Sequence, residues 1–204
     1  MTQLDLTQYL VNSGALKTPV LIAAFEAVDR ADFVPDDVDR EEIYSDFPLP
    51  IGQEQTISQP TTVAIMMEML QPRVGNKILD VGSGSGWTTA LLAQVVGERG
   101  RVCGVELVPD LARFGRDNIA KYHVPWAQIA QADHALGMPR EAPFDRILVS
   151  ASGDEISQTL IDQLKGGGVM VVPVKTSLWK VVKAVDGSVE KQEFPGFIFV
   201  PLRH

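Results

Sequence analysis

Hydrophobic positions change period along this chain, and the changes outline alternating strands and helices. Ile78, Leu79 and Val81 form a short apolar run that predicts a buried strand. Residues 87–96 follow as a helix, with Ala90, Leu91, Leu92, Ala93, Val95 and Val96 on its apolar side. Residues 101–106 predict a second strand, 109–122 a helix opened by Pro109, and 126–130 a third strand. Residues 144–149 predict a fourth strand, buried at Ile147 and Val149. Residues 156–164 predict a helix broken by Gly166, Gly167 and Gly168, with a fifth strand at 169–172. A hairpin follows from residue 179, turning at Asp186-Gly187, and 197–200 reads as a last strand.

The first forty residues look helical. Leu4, Leu6, Tyr9 and Leu10 would line a helix that stops at Ser13-Gly14. Thr18-Pro19 reads as a cap and first turn of a second helix, with Val20, Ile22, Ala23, Ala24, Ala27 and Val28 on its apolar side. Residues 44–60 are polar and punctuated by Pro48, Pro50, Gly52 and Pro60, which predicts a loop that lies on the surface or lines a site. Residues 61–70 predict a helix with Val63, Met66, Met67 and Leu70 inward. Together these units predict an α/β fold: a Rossmann-like, doubly wound, mostly parallel sheet with helices on both faces, an antiparallel C-terminal edge and an N-terminal helical extension.

Between the first strand and its helix stand Gly82, Ser83, Gly84, Ser85 and Gly86, preceded by Asp80. Three glycines remove every second Cβ from the turn, so a ligand can approach the backbone beside the first helical N–H groups. Glu106 ends the next strand, about 20 residues on, where a carboxylate accepts from ribose hydroxyls. The spacing is G-x-G-x-G, and Trp87 stands where a dinucleotide fingerprint wants glycine. The pattern favours S-adenosylmethionine over NAD.

Composition narrows the class further. A hydrophobic content of 45% excludes disorder, and no apolar run reaches the roughly 18 residues of a membrane span. Residues 1–10 have no basic start or long apolar run, so no signal peptide is expected. The one cysteine, Cys103, reads as buried filler and excludes an internal disulfide. A cytoplasmic protein is expected. The net charge is −8, with no Lys/Arg cluster of the kind a nucleic-acid partner requires.

The segment from Pro48 to Pro60 resembles the P-L-P-I-G-x-G-Q-T-I-S-x-P stretch of the protein-L-isoaspartate O-methyltransferase family. The resemblance continues through Leu79 to Gly86 and returns at Ala142-Pro143-Phe144-Asp145, at residues 160–168 and at Phe199-Val200-Pro201-Leu202. It implies an enzyme that uses S-adenosylmethionine to methylate the free carboxylate of L-isoaspartyl residues in damaged peptides and proteins. By position, Ser58 matches the family's active-site serine, with Thr56 beside it, and Gln55 and Ile57 match neighbours over the cofactor. Glu106 and Leu107 would hold the ribose, and Ala132 and Asp133 the adenine. One domain over residues 1–204 is expected, divided into N-terminal helices and substrate loop (1–75), cofactor-binding core (76–174) and C-terminal hairpin strands (175–204).

Four departures from the family pattern bear on the substrate. Glu54 stands in place of a glycine, Thr61 in place of a histidine or tyrosine, and Ala132-Asp133-His134 in place of Gly-Asp-Gly. Ser150-Ala151-Ser152-Gly153-Asp154 replaces a small-residue and proline stretch. They leave open a different carboxylate acceptor, or a module that binds the cofactor without catalysis.

The chemistry fits a carboxylate. A carboxylate with an ordinary pKa of about 4 is ionised at pH 7 and needs no general base, whereas a hydroxyl acceptor would. His123 and His204 lie off the predicted site, His134 reads as a surface residue, and no Cys/His spacing suggests zinc. Ser58 would orient the acceptor and not attack it. It could equally cap the helix that opens at Pro60, as Asp133 could cap a turn.

Overall fold

The computed structural model describes residues 2–133 and 135–202, apart from the side chain of Arg40. His134 and His204 lie outside the described residues. In chain order the elements are α1 (Gln3–Asn12), α2 (Pro19–Ala27), a 3-10 turn at Arg30–Phe33, α3 (Arg40–Ile43), β1 (Leu49–Gly52) and β2 (Gln55–Ile57). There follow α4 (Pro60–Leu70), β3 (Lys77–Val81), α5 (Trp87–Val96), β4 (Arg101–Glu106), α6 (Pro109–Ala120) and β5 (Ala127–Gln131). The chain continues through β6 (Phe144–Val149), α7 (Gln158–Gln163), β7 (Leu164–Val174), β8 (Ser177–Lys183) and β9 (Val189–Pro195).

Seven strands form one sheet in the order β5-β4-β3-β6-β7-β8-β9. The first five pair in parallel, and β8 and β9 close the edge antiparallel. Successive residues of the parallel strands are buried on alternate faces of the sheet. Ile78, Val102, Leu148 and Val171 join the core beneath α1, α2, α4, α5 and α6. Leu79, Cys103, Ile147 and Met170 join the opposite core with Leu160 and Ile161 of α7. A parallel sheet covered on both faces accounts for the near-continuous apolar runs in the sequence. Strand order reverses at β3, which lies between β4 and β6, so a crevice opens at the carboxyl ends of these strands.

Several elements differ from the sequence reading. The stretch read as a loop at 44–60 contains an antiparallel hairpin, with Leu49 opposite Ile57 and Pro50 opposite Thr56. Its buried Leu49, Ile51 and Ile57 alternate with exposed residues, a period-two pattern that proline and glycine interrupt. The fifth strand begins at Leu164. Pairing of Leu164 with Phe144 draws the three glycines into β7 across an irregularity in register. Residues 197–200 form no strand. They run as a strap whose Val200 and Leu202 bond to the Ser152 backbone.

In α1, Leu4 and Tyr9 face solvent, and the buried stripe is Gln3, Leu6, Thr7 and Leu10. Gln3 is tolerated inside because its amide donates to the Phe25 carbonyl and accepts from the Arg30 N–H. In α2 the buried residues are Leu21, Ala24 and Phe25, and the Thr18 hydroxyl bonds Glu68 instead of capping the helix.

Candidate active site

The turn after β3 adopts backbone angles that favour glycine. Gly82, Gly84 and Gly86 have φ of 75°, 53° and 91°. At Gly86 a Cβ would also lie 2.9 Å from the Gly115 carbonyl of α6, so the third glycine serves close helix packing. At Gly84 it would meet Ile51 Cδ1 at 3.3 Å, which places the β1–β2 hairpin directly over the turn.

Two carboxylates flank this turn. Glu106 ends β4 and is nearly buried; its Oε2 accepts from Gly84 N at 2.8 Å and its Oε1 from Val108 N at 2.9 Å. Each carboxylate oxygen has two lone pairs, so acceptor capacity remains for ligand hydroxyls. Asp80 lies beneath the turn with no exposed surface, and its Oδ2 accepts from Thr88 and Thr89 hydroxyls at 2.7 Å each. Burial pushes its pKa up to about 6; the two threonine hydroxyls oppose that rise and the nearby Glu106 charge adds to it. Among the described residues, Asp80 Oδ1, Ser83 Oγ and Trp87 Nε1 are buried without partners. Unpaired buried polar atoms beside a glycine turn fit a polar ligand that would satisfy them.

Three clefts meet at this point. The first holds about 520 Å³ of unfilled space and is lined by Ser83, Gly84, Ser85 and Glu106 on the strand side and by Gln55, Thr56, Ile57 and Ser58 on the hairpin side. The second, of about 600 Å³, is lined by Leu107, Val108, Ala132, Asp133 and Leu136, and shares Gln55, Gly82 and Ala151 with the first. Both are of small-molecule size. The third is lined by Pro48, Gln59, Thr62, Ile198 and Phe199, and shares Thr56, Ser58, Ser150 and Val200 with the first.

The structure thus brings Gln55, Thr56, Ile57, Ser58, Gly82, Ser83, Gly84, Ser85 and Glu106 to one cleft, and Leu107, Ala132 and Asp133 to its neighbour. Asp80 and Gly86 line neither and act from beneath. Ser58 is not the cap of α4. The cap position is Gln59, and the carboxylate of Asp46 accepts from Thr61 N at 2.8 Å. The Ser58 hydroxyl makes no hydrogen bond among the described residues. Asp133 does cap a turn, accepting from Ala135 N at 2.8 Å, while still lining the second cleft.

Ser150 and Ala151, from the stretch that sequence reasoning tied to the substrate, line the first cleft, whereas Thr88, Val200 and Leu202 were missed as lining residues. Thr88 had a signal: a hydroxyl in the first turn of α5, eight residues after Asp80. The others come from a strap that only the fold brings to the site. Trp87, which stands where a dinucleotide fingerprint wants glycine, makes an edge contact with Phe25 at 5.8 Å and also lines the first cleft.

The departures from the family pattern have local explanations. Gln53 and Glu54 form the hairpin tip with φ of 55° and 58°, a left-handed pair that glycine would adopt without strain. The Thr61 hydroxyl donates to Asp46 at 2.7 Å, and that of Ser152 to the Lys175 carbonyl at 3.1 Å. Thr61, Ser152 and Asp154 line none of the three clefts.

A seven-stranded sheet with a reversed edge, a glycine turn after β3 and an acid closing β4 define a class I, Rossmann-like methyltransferase. All of residues 1–204 match the profile of the Protein-L-isoaspartate(D-aspartate) O-methyltransferase family, and the chain belongs to that family. The protein-L-isoaspartate O-methyltransferase of Methanopyrus kandleri is 43% identical over 202 residues, covering 97% of this chain and 89% of that protein. That of Ignicoccus hospitalis is 38% identical over 203 residues, covering 97% and 95%. The fold superposes with a TM-score of 0.88 on a crystal structure of a Plasmodium falciparum chain assigned to the same activity, in complex with S-adenosyl-L-homocysteine. The two are 25% identical, and the match covers 100% of this chain and 99% of that one. Among the described residues no helix is long and apolar enough to cross a membrane.

Proposed function

We propose that this chain methylates the free carboxylate of L-isoaspartyl residues in damaged peptides and proteins, with S-adenosylmethionine as donor. The observation that carries the reading is the place of Ser58: a hydroxyl without a partner among the described residues, on the wall shared by the first and third clefts.

When bound, the cofactor supplies a methyl group activated by a sulfonium. Glu106 would accept from the ribose hydroxyls, held in place by two backbone N–H groups. Leu107, Val108, Ala132 and Asp133 would flank the adenine in the second, more apolar cleft. Ser83 and Asp80 would face the amino-acid end, where a cation beside Asp80 offsets the cost of its buried charge. Ser58 and Thr56 would hydrogen-bond the acceptor carboxylate as it enters from the third cleft. That carboxylate is ionised at neutral pH, so the chain has to orient it and exclude water, and no residue has to remove a proton.

The test is methyl transfer to matched aspartyl and isoaspartyl peptides at saturating cofactor. S-adenosylhomocysteine should form with the isoaspartyl peptide alone. Equal turnover of the aspartyl peptide, or none of either, rejects the reading.

A further inference from the structure

Arg30 has no exposed surface, and its guanidinium is spent on backbone carbonyls. Nη1 donates to Ser45 O at 3.2 Å, and Nη2 donates to Phe47 O at 3.0 Å and Ser58 O at 3.3 Å. Ser45 and Phe47 precede β1, and Ser58 follows β2. One side chain therefore ties both roots of the hairpin whose inner face overlies the glycine turn. The same guanidinium lies over the Trp87 ring, 5.2 Å from its centroid. Trp87 opens α5 and lines the first cleft on the side of the glycine turn.

Asp46 completes the arrangement between Ser45 and Phe47. Its carboxylate accepts from Gln59 Nε2 at 3.2 Å, from Thr61 N at 2.8 Å and from the Thr61 hydroxyl at 2.7 Å. Ser58 is thus held from both sides, through its own carbonyl by Arg30 and through Gln59 and Thr61, just after it, by Asp46.

We propose that Arg30 is a positioning residue for methyl transfer, setting the separation between Ser58 on the acceptor side and Trp87 on the donor side. The inference rests on the functional reading above. Burying a guanidinium is costly unless its donors are met, and here Nη1 and Nη2 are met by carbonyls from the segments that must be held apart, while Nε is buried without a partner among the described residues. The planar fork matters as much as the charge. Lysine has one nitrogen and no flat face, so it cannot reach three carbonyls and stack on an indole together. In-line transfer is sensitive to misplacement on the scale of an ångström, so a loosened hairpin root slows the reaction without emptying the cofactor cleft.

The experiment compares the full chain with Arg30→Lys, measuring kcat and KM for an isoaspartyl peptide, S-adenosylhomocysteine affinity by calorimetry, and thermal stability. Arg30→Lys should lower kcat about 30-fold while S-adenosylhomocysteine affinity stays within about threefold. Wild-type kcat in Arg30→Lys overturns the inference. So does a loss of S-adenosylhomocysteine affinity that matches the loss of kcat, because that result marks general collapse of the site. If Arg30→Lys does not fold, Asp46→Asn decides: it keeps the volume and weakens the other half of the root. A fall in kcat of about tenfold with S-adenosylhomocysteine affinity kept supports the inference, and an unchanged kcat overturns it. A wild type that turns over no isoaspartyl peptide removes the functional reading and this inference together, whereas an active wild type matched by Arg30→Lys removes only the inference.

Discussion

Asp80 and Thr89 are joined by a 2.7 Å hydrogen bond that ties the end of β3 to the first turn of α5, and neither residue has exposed surface. Thr88 donates to the same carboxylate oxygen, and the other oxygen is buried without a partner. The site therefore holds a carboxylate that costs stability in the free protein.

That cost has a defined pH signature. Burial raises the Asp80 pKa from 3.8 to about 6, so the folded chain holds this proton more tightly than the unfolded one. Its favourable contribution is present below the unfolded value and is lost as pH rises through 6. Asp80→Asn should therefore be more stable than wild type at pH 7, on the order of 2–3 kcal/mol, with the gap narrowing as pH falls towards 4.5. Its affinity for S-adenosylhomocysteine should fall at least about tenfold through loss of a buried charge partner. Denaturant titrations across pH and calorimetry check both parts.

Ser58→Ala removes a hydroxyl that bonds nothing among the described residues. Stability should change by less than about 0.5 kcal/mol. Transfer to an isoaspartyl peptide should drop about 100-fold while S-adenosylhomocysteine binding persists. Steady-state kinetics beside a binding isotherm separates the two.

Glu106→Ala should fail in the opposite way. The substitution leaves Gly84 N and Val108 N without their carboxylate acceptor, at a cost of about 2 kcal/mol, and removes the proposed acceptor for the ribose hydroxyls. Thermal melts should show a less stable chain, and S-adenosylhomocysteine should no longer raise its melting temperature.

Glu54→Gly relaxes a hairpin tip that holds φ near 58°. It should stabilise the chain by about 1 kcal/mol and leave kcat for the isoaspartyl peptide within about twofold, since Glu54 lines none of the three clefts. A large change in peptide specificity would instead assign the tip a role in substrate choice.

Local rules reached far where the signal was local. The glycine turn, Glu106, α5 and the parallel strands were legible because a strand buried on both faces and a turn with φ above zero each restrict the residue types that fit. Short-range rules misread residues whose structure is set by a distant partner. Gly166 to Gly168 look like a helix stop, yet pairing with β6 makes them part of β7. Phe197 to Val200 look like a strand, yet after Gly196, with φ of 100°, the segment meets a neighbour only at Ser152, through an isolated bridge to Pro201 that is too short to make a strand among the described residues. The β1–β2 hairpin is too short, and too broken by proline and glycine, to show its alternation until Ile51 is seen against Gly84.

The sequence by itself determined the cradle, the acid that closes it and the family to which the chain belongs, because those depend on residue types a few positions apart. Only the tertiary structure decided that Asp46 and not Ser58 caps α4, that the Ser58 hydroxyl is left unpaired among the described residues, and that Arg30 ties the Ser58 carbonyl to Trp87. Those contacts join residues 15 to 57 positions apart, one through a backbone carbonyl and one through a backbone N–H, so the partner of each side chain cannot be read from residue types nearby in the sequence.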